Sequence, residues 1–239
     1  MESSLPYTIY ACGDHAITVD FGNLIDETIN RHVHLLFGQL KQQNTTGIKD
    51  VIPAYSSITI VYDVVATKKT YPGDTAYNTV LKIIKDTLAI TQQVAEEIAD
   101  TVKIPVCYDP DLALDLYEMA AQKNIPVQTI IQLHCSMPYR VFMLGFLPGF
   151  AYMGTVPTAL ETPRKNTPRT NVPAGSVGIA GKQTGIYPFE SPGGWNIIGQ
   201  TPLKLFDVNR RDAVLLQPGQ QVQFYPITSE EFYATKAGQ

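Results

Sequence analysis

Cysteine is scarce in this 239-residue chain: Cys12, Cys107 and Cys135 are the full set. Odd in number, far apart and without a Cys-x-x-Cys pair, they indicate neither a disulfide framework nor a zinc knuckle, and they fit a reducing compartment. Charge is scarce as well. Charged residues are 17% of the chain, and 18 Lys+Arg against 22 Asp+Glu leave a formal charge of -4, so a broad basic surface for a nucleic-acid backbone is not expected. Long apolar runs are missing: residues 141–147 fall far short of the roughly 20 a membrane helix needs, and residues 1–10 lack the basic start and apolar stretch of a secretion signal. Of the 4 histidines, His32 and His34 stand two apart on an expected helix, point to different faces and cannot share a metal. The expectation is a soluble, cytoplasmic protein with no resident metal, no nucleic-acid partner and no membrane partner. Apolar residues, at 44%, suffice to bury a core in one large domain or two small ones.

The first hundred residues alternate strand and helix signals. Residues 15–21 alternate around Ala16, Thr18 and Asp20 and end at Gly22. Asp26 then caps a helix whose apolar positions Ile29, Val33, Leu36 and Leu40 keep helical spacing. Residues 48–52 and 57–62 read as strands, and Tyr71-Pro72-Gly73-Asp74 opens a second helix with a stripe through Tyr77, Val80, Leu81, Ile84 and Leu88. Residues 101–107 read as one more strand. The order β-α-β-β-α-β predicts a ferredoxin-like domain over 1–107. Helical stretches from Asp111 to about Lys123 and from Pro126 to about His134 predict a linker over 108–137.

The texture then changes. Residues 136–206 hold 10 of the 17 Gly (145, 149, 154, 175, 178, 181, 185, 193, 194, 199) and 9 of the 17 Pro (138, 148, 157, 163, 168, 173, 188, 192, 202). Short apolar runs between tight turns predict a closed β-barrel or a sandwich over 138–239, and an α+β fold class for the whole. The same stretch carries the bases Arg140, Arg164, Lys165, Arg169, Lys182 and Lys204 against only Glu161 and Glu190. Turns on a rigid barrel present side chains and free N–H groups together, which suits an anionic small molecule; ordinary solvated loop charge is the other reading.

Two familiar motifs fail on inspection. Gly181-Lys182 ends like a phosphate-binding loop, but Ser176 stands where that pattern needs Gly and Gln183 where it needs Ser or Thr. Ala174-Gly175-Ser176-Val177-Gly178 approaches the hydrolase nucleophile elbow, yet Pro173 precedes it and an extended run follows where a helix is required. Three other features stay open. His134 closes the second helical stretch: it either faces the barrel mouth as a general base or carboxylate ligand, or is a helix C-terminal His favoured by the dipole. Arg164 and Arg169, each in a Thr-Pro-Arg unit, either form a forked anion clamp on stiff backbone or pair with Glu161 and Glu190. Gln183, Tyr187 and the Pro192-Gly193-Gly194-Trp195 turn cluster polar groups and the only Trp, either as a site or as turn and filling.

These stretches carry a resemblance. Residues 145–154 (Gly-Phe-Leu-Pro-Gly-Phe-Ala-Tyr-Met-Gly), Pro163-Arg164, Pro168-Arg169, Val172-Pro173-Ala174-Gly175-Ser176-Val177, residues 181–188 (Gly-Lys-Gln-Thr-Gly-Ile-Tyr-Pro), Ser191-Pro192-Gly193-Gly194-Trp195 and Ile198-Gly199-Gln200-Thr201-Pro202 resemble the KipI/allophanate hydrolase subunit 1 family, described largely as the B subunit of 5-oxoprolinase. Gln200 departs from the basic residue often found there. The resemblance implies a small α/β N-terminal domain and a cyclophilin-like β-barrel. It implies a hydrolase that opens 5-oxo-L-proline to L-glutamate with ATP and Mg2+, in a hetero-oligomer with the KipA-like C subunit, plus the A subunit. Within such an assembly the barrel face is expected to supply an anion clamp and an acid/base group: Arg164 and Arg169 to bind a carboxylate or phosphoryl oxygen, His134 to transfer a proton, and Gln183, Tyr187 and Trp195, with the Gly193-Gly194 turn, to orient the ring. Alternatives within the same resemblance are inhibition of a sensor histidine kinase and a part in urea or allophanate metabolism; prolyl isomerisation follows only by analogy with the barrel.

Overall fold

In the computed structural model, which describes residues 5–91 and 101–238, the chain divides between Ile98 and Ala99 into two units. The first runs through β1 (Thr8–Ala11), β2 (Ala16–Asp20), α1 (Glu27–Gln43), β3 (Ile48–Pro53), β4 (Ser57–Tyr62), α2 (Val64–Thr70) and α3 (Ala76–Thr91). Asp26 starts α1 as its type and place dictate: its side chain accepts from Ile29 N at 3.0 Å, and Asn44 ends the helix in the left-handed region. The predicted stripe Ile29, Val33, Leu36 and Leu40 is buried, and Val80, Ile84 and Leu88 of α3 join it against Ile17, Ile58 and Ile60 of the sheet.

The strand order is β1-β2-β4-β3, antiparallel throughout. The expected β-α-β-β-α core is therefore present from β2 to α3, but the last strand of the predicted domain is not where the sequence pattern put it. Edge strand β1 completes the sheet beside β2, and residues 101–107 belong to the second unit. A strand's neighbour is set by whichever edge needs closing, which local alternation does not encode.

The second unit begins with β5 (Thr101–Cys107), α4 (Leu116–Lys123) and α5 (Val127–His134), then β6 (Tyr139–Leu144), β7 (Ala151–Gly154) and a 3-10 turn at Thr158–Leu160. It continues through β8 (Arg169–Val172), β9 (Ser176–Ala180), β10 (Gln183–Ile186), β11 (Ser191–Gly193), β12 (Asn196–Gln200), β13 (Gln221–Ile227) and α6 (Ser229–Ala237). Seven strands close a barrel in the order β10-β7-β6-β13-β5-β12-β9, with β8 and β11 as a separate two-stranded sheet. The barrel alternative is thus the correct one. β5 pairs β13 in parallel along all of its residues and touches β12 at Cys107. The helices predicted as a linker are part of this unit: Asp115 N donates to Ile197 O of β12 at 2.7 Å, and Leu116, Met119 and Ile130 enter the barrel's apolar cluster. Their apolar stripes need that surface to be buried. No described helix is long and apolar enough to cross a membrane.

Candidate functional site

The turn between β6 and β7 is tight and strained. Leu147 N donates to Gly145 O at 2.8 Å, which makes Phe146 the centre of a three-residue turn with φ +66°, a conformation that bulky side chains rarely adopt. Its ring is left 62% exposed and rests edge-on against Phe150 and Tyr187, at 5.7 and 6.5 Å between centroids. Phe150, Tyr187 and Trp195 meet edge to face below it, at 5.1 Å and 5.4 Å from the Phe150 ring, and Tyr152 closes the group against Trp195 at 5.8 Å. Such contacts fix ring orientation as well as burying area.

Two glycines make room for these rings. A Cβ on Gly185 of β10 would stand 2.9 Å from both Ala151 O and Trp195 Cζ3, and one on Gly193 would run into the Tyr187 hydroxyl. The result is a cavity of about 210 Å³ walled by the aromatic side chains, Pro168, Pro192 and the Gly193-Gly194 backbone, with Arg164 at its rim. Arg164 is exposed and makes no hydrogen bond or ion pair among the described residues. Burial pushes the Tyr187 and Tyr152 hydroxyls above their ordinary pKa, with the Arg164 charge opposing it, so both are neutral donors. Among the described lining residues nothing serves as a general base at neutral pH. The chemistry on offer is capture of a small ring with an anionic substituent: apolar faces for the ring, one guanidinium for the charge.

Five of the eight residues singled out from sequence, Arg164, Tyr187, Gly193, Gly194 and Trp195, line this cavity. Gln183 does not: it starts β10 opposite Gly154, at the far end of the strand from Tyr187. His134 is inside the barrel rather than at its mouth, with no exposed surface. Tyr108 Oη lies 2.8 Å from His134 Nδ1, and Nε2 lies 3.1 Å from Thr184 Oγ1, which itself donates to Gly178 O. That chain assigns the proton to Nε2. The ring stacks on Phe224 at 4.5 Å, and burial holds its pKa down at about 3. A neutral imidazole with both nitrogens engaged and no route to solvent is a core side chain, not a proton-transfer group for an external ligand.

Arg169 is also committed elsewhere. Its Nη1 and Nη2 donate to Asp115 Oδ2 and Oδ1 at 2.7 and 2.6 Å, and Lys165 Nζ donates to Oδ1 of the same carboxylate at 2.6 Å. The pairing is structural, as one reading had it, but the partner is Asp115 and neither Glu161 nor Glu190. Sequence reasoning missed Phe146, Phe150 and Tyr152 as lining groups, although all three lie in the Gly145–Gly154 stretch, where three aromatics share one turn and the strand after it. Ser176, the near-nucleophile, begins β9 and is 1% exposed.

The family described as carboxyltransferase domain, subdomain C and D, matches residues 7–216. The B subunit of 5-oxoprolinase from Bacillus subtilis is 38% identical over 232 residues, covering 96% of this chain and 97% of that protein. The solved structure of TTHA0988 superposes with a TM-score of 0.77 at 34% identity, over 90% of this chain and 40% of its own length. Urea amidolyase of Lachancea kluyveri is 26% identical over 253 residues, 94% of this chain but 13% of the yeast protein. With the match running through both units, the chain belongs to the carboxyltransferase domain C/D family, in the group that includes the B subunit of 5-oxoprolinase.

Proposed function

We propose that this chain is the B subunit of an ATP-dependent 5-oxoprolinase complex that opens 5-oxo-L-proline to L-glutamate together with its A and C subunits. The observation that carries the reading is the end-to-end match to the B subunit from Bacillus subtilis, which leaves only 3% of that relative uncovered (100 − 97). The aromatic cavity supports it chemically. Arg164 would take the ring carboxylate, Tyr187, Phe150 and Trp195 would hold the flat lactam, and the Gly193-Gly194 backbone leaves the ring room to approach.

A lactam is a poor electrophile in water, so activation by phosphoryl transfer to its oxygen suits the reaction. The described residues of this chain offer neither a ready-made metal cluster nor a phosphate-binding loop. No three His, Cys, Asp or Glu among them stand close enough for a metal, and Gly181-Lys182 turns the β9–β10 hairpin instead of cradling phosphate before a helix. In this reading the chain holds and orients substrate, excludes water from one face of the ring and leaves the nucleotide to the assembly.

The test is ATP-dependent glutamate release by the chain reconstituted with the A and C subunits. Arg164→Ala in a folded complex is expected to raise KM for 5-oxo-L-proline roughly 10- to 100-fold, the worth of a charge-assisted hydrogen bond. The chain alone is expected to turn nothing over. Unchanged kinetics with Arg164→Ala, or robust turnover without the other subunits, overturns the reading.

A further inference from the structure

We propose that Asp115 is the positioning residue of the aromatic cavity: one buried carboxylate sets the Arg164 loop against the start of β12, just after Trp195, and so fixes where the ligand's anionic group is held. This deepens the reading of that cavity as the ligand site and rests on it.

Asp115 is 2% exposed and accepts four hydrogen bonds, from Arg169 Nη1 and Nη2, Lys165 Nζ and the backbone N–H of Ile197 at 2.7 Å. Four is about the full acceptor capacity of a carboxylate. It stands at the start of α4, where an Asp usually caps the helix, yet its side chain makes no cap bond. The capping role has been given up for tertiary links, and those links converge on the cavity. Lys165 follows Arg164, Arg169 follows Pro168, and Ile197 lies two residues beyond Trp195; Arg164, Pro168 and Trp195 all line the cavity. Lys165 N also donates to Gly194 O at 2.8 Å, which ties the same two segments by their backbones.

The charges sum in a telling way. Asp115 and Glu118 face Lys165 and Arg169, two carboxylates to two cations, with Glu118 Oε2 3.2 Å from Lys165 Nζ. Arg164 is outside that balance. A loop with three cations in six residues thus spends two on holding itself in place and presents the third to the cavity. Without Asp115, Arg169 would lose both of its carboxylate bonds and Lys165 would keep only the more exposed Glu118, leaving excess positive charge beside Arg164, with the Lys165 N–Gly194 O and Asn196 Nδ2–Pro163 O bonds as the remaining ties between the two segments.

The experiment uses the full chain and Trp195, the only tryptophan, as reporter. Dissociation constants for 5-oxo-L-proline are measured by calorimetry and Trp195 emission for wild type, Asp115→Asn, Arg164→Ala and the double variant. Asp115→Asn is expected to weaken binding roughly 10-fold or more, as expected where a charge-assisted partner is lost. The specific signature is non-additivity: in the Arg164→Ala background, Asp115→Asn should add less than about twofold. Wild-type affinity in Asp115→Asn, or effects that simply multiply, overturns the assignment. Acrylamide quenching of Trp195 without ligand separates this idea from the ligand reading. Asp115→Asn should raise quenching even if 5-oxo-L-proline proves not to be the ligand, and unchanged quenching overturns the positioning role by itself. If Asp115→Asn does not fold, Lys165→Ala removes one of the four donors at a partly exposed position and should give the same pattern at smaller amplitude.

Discussion

At the scale of single residues, burial decides what a titratable group can do, and His134 carries a measurable consequence. Its pKa falls to about 3 in the folded chain because burial disfavours the cation, whereas the unfolded chain titrates it near 6.5. Between those values the unfolded state binds a proton that the native state does not, so folding weakens as pH falls from about 6.5 towards 3, by up to about tenfold in the equilibrium constant per pH unit. At Asp115 burial pushes the pKa up, but Arg169, Lys165 and the Ile197 N–H outweigh it and hold the carboxyl below its ordinary range. Its contribution is present above the ordinary carboxylate pKa and is lost as pH falls through the depressed folded value, so it adds only at the acid end. Urea midpoints measured from pH 7.5 to 4.5 should therefore fall for wild type and fall less steeply for His134→Phe. At pH 7.5 that variant should cost about 1–3 kcal/mol, towards the lower end because Tyr108 keeps Cys135 Sγ at 3.4 Å and Thr184 keeps Gly178 O. Equal slopes would show that other groups carry the pH dependence.

Elements differ in how far they can be read before they are seen. α1 was legible because its signals are local: a capping Asp, a 3-4 apolar spacing and an Asn in the left-handed conformation at its end. Asp26→Ala should cost about 1 kcal/mol in the first unit, the usual worth of such a cap. Urea unfolding followed by far-UV circular dichroism should show the loss, while 5-oxo-L-proline titrated against Trp195, which lies in the second unit, should give the wild-type constant; undiminished stability would mean that water replaces the cap at no cost. β1 and α2 passed unread, being four and seven residues long with few buried side chains. The candidate site divides on the same principle. Tyr187, Gly193, Gly194 and Trp195 were legible as a cluster because two turns close in sequence carry them. Arg164 and Arg169, in identical Thr-Pro-Arg settings, met opposite fates, since Asp115 lies 54 residues from Arg169 and no local pattern records which guanidinium it takes. His134 misled for a related reason: helix position placed it near the barrel, and only the strands around it determine that its ring points inward.

At the scale of the whole molecule, the division of the chain follows from which edges a strand must close. β5 lies between β13 and β12, and Ile104, Val106 and Cys107 have no exposed surface. A boundary after residue 107, natural from the β-α-β-β-α-β pattern, would strip the barrel of this strand. The parallel pairing with β13 along seven positions would be lost, two strand edges would face water, and the apolar interior would open beside them. A fragment of residues 99–239 should therefore be soluble, unfold in one cooperative transition and show the Trp195 emission of the full chain. A fragment of residues 108–239, shorter by nine residues (108 − 99), should aggregate or melt without a transition, and one of residues 138–239, which also lacks α4, α5 and Asp115, should do the same. Thermal scans with Trp195 emission on the three fragments decide the point. A cooperative transition with native emission from residues 108–239 would mean that the barrel closes without β5, and the division at Ile98 would then have no energetic basis.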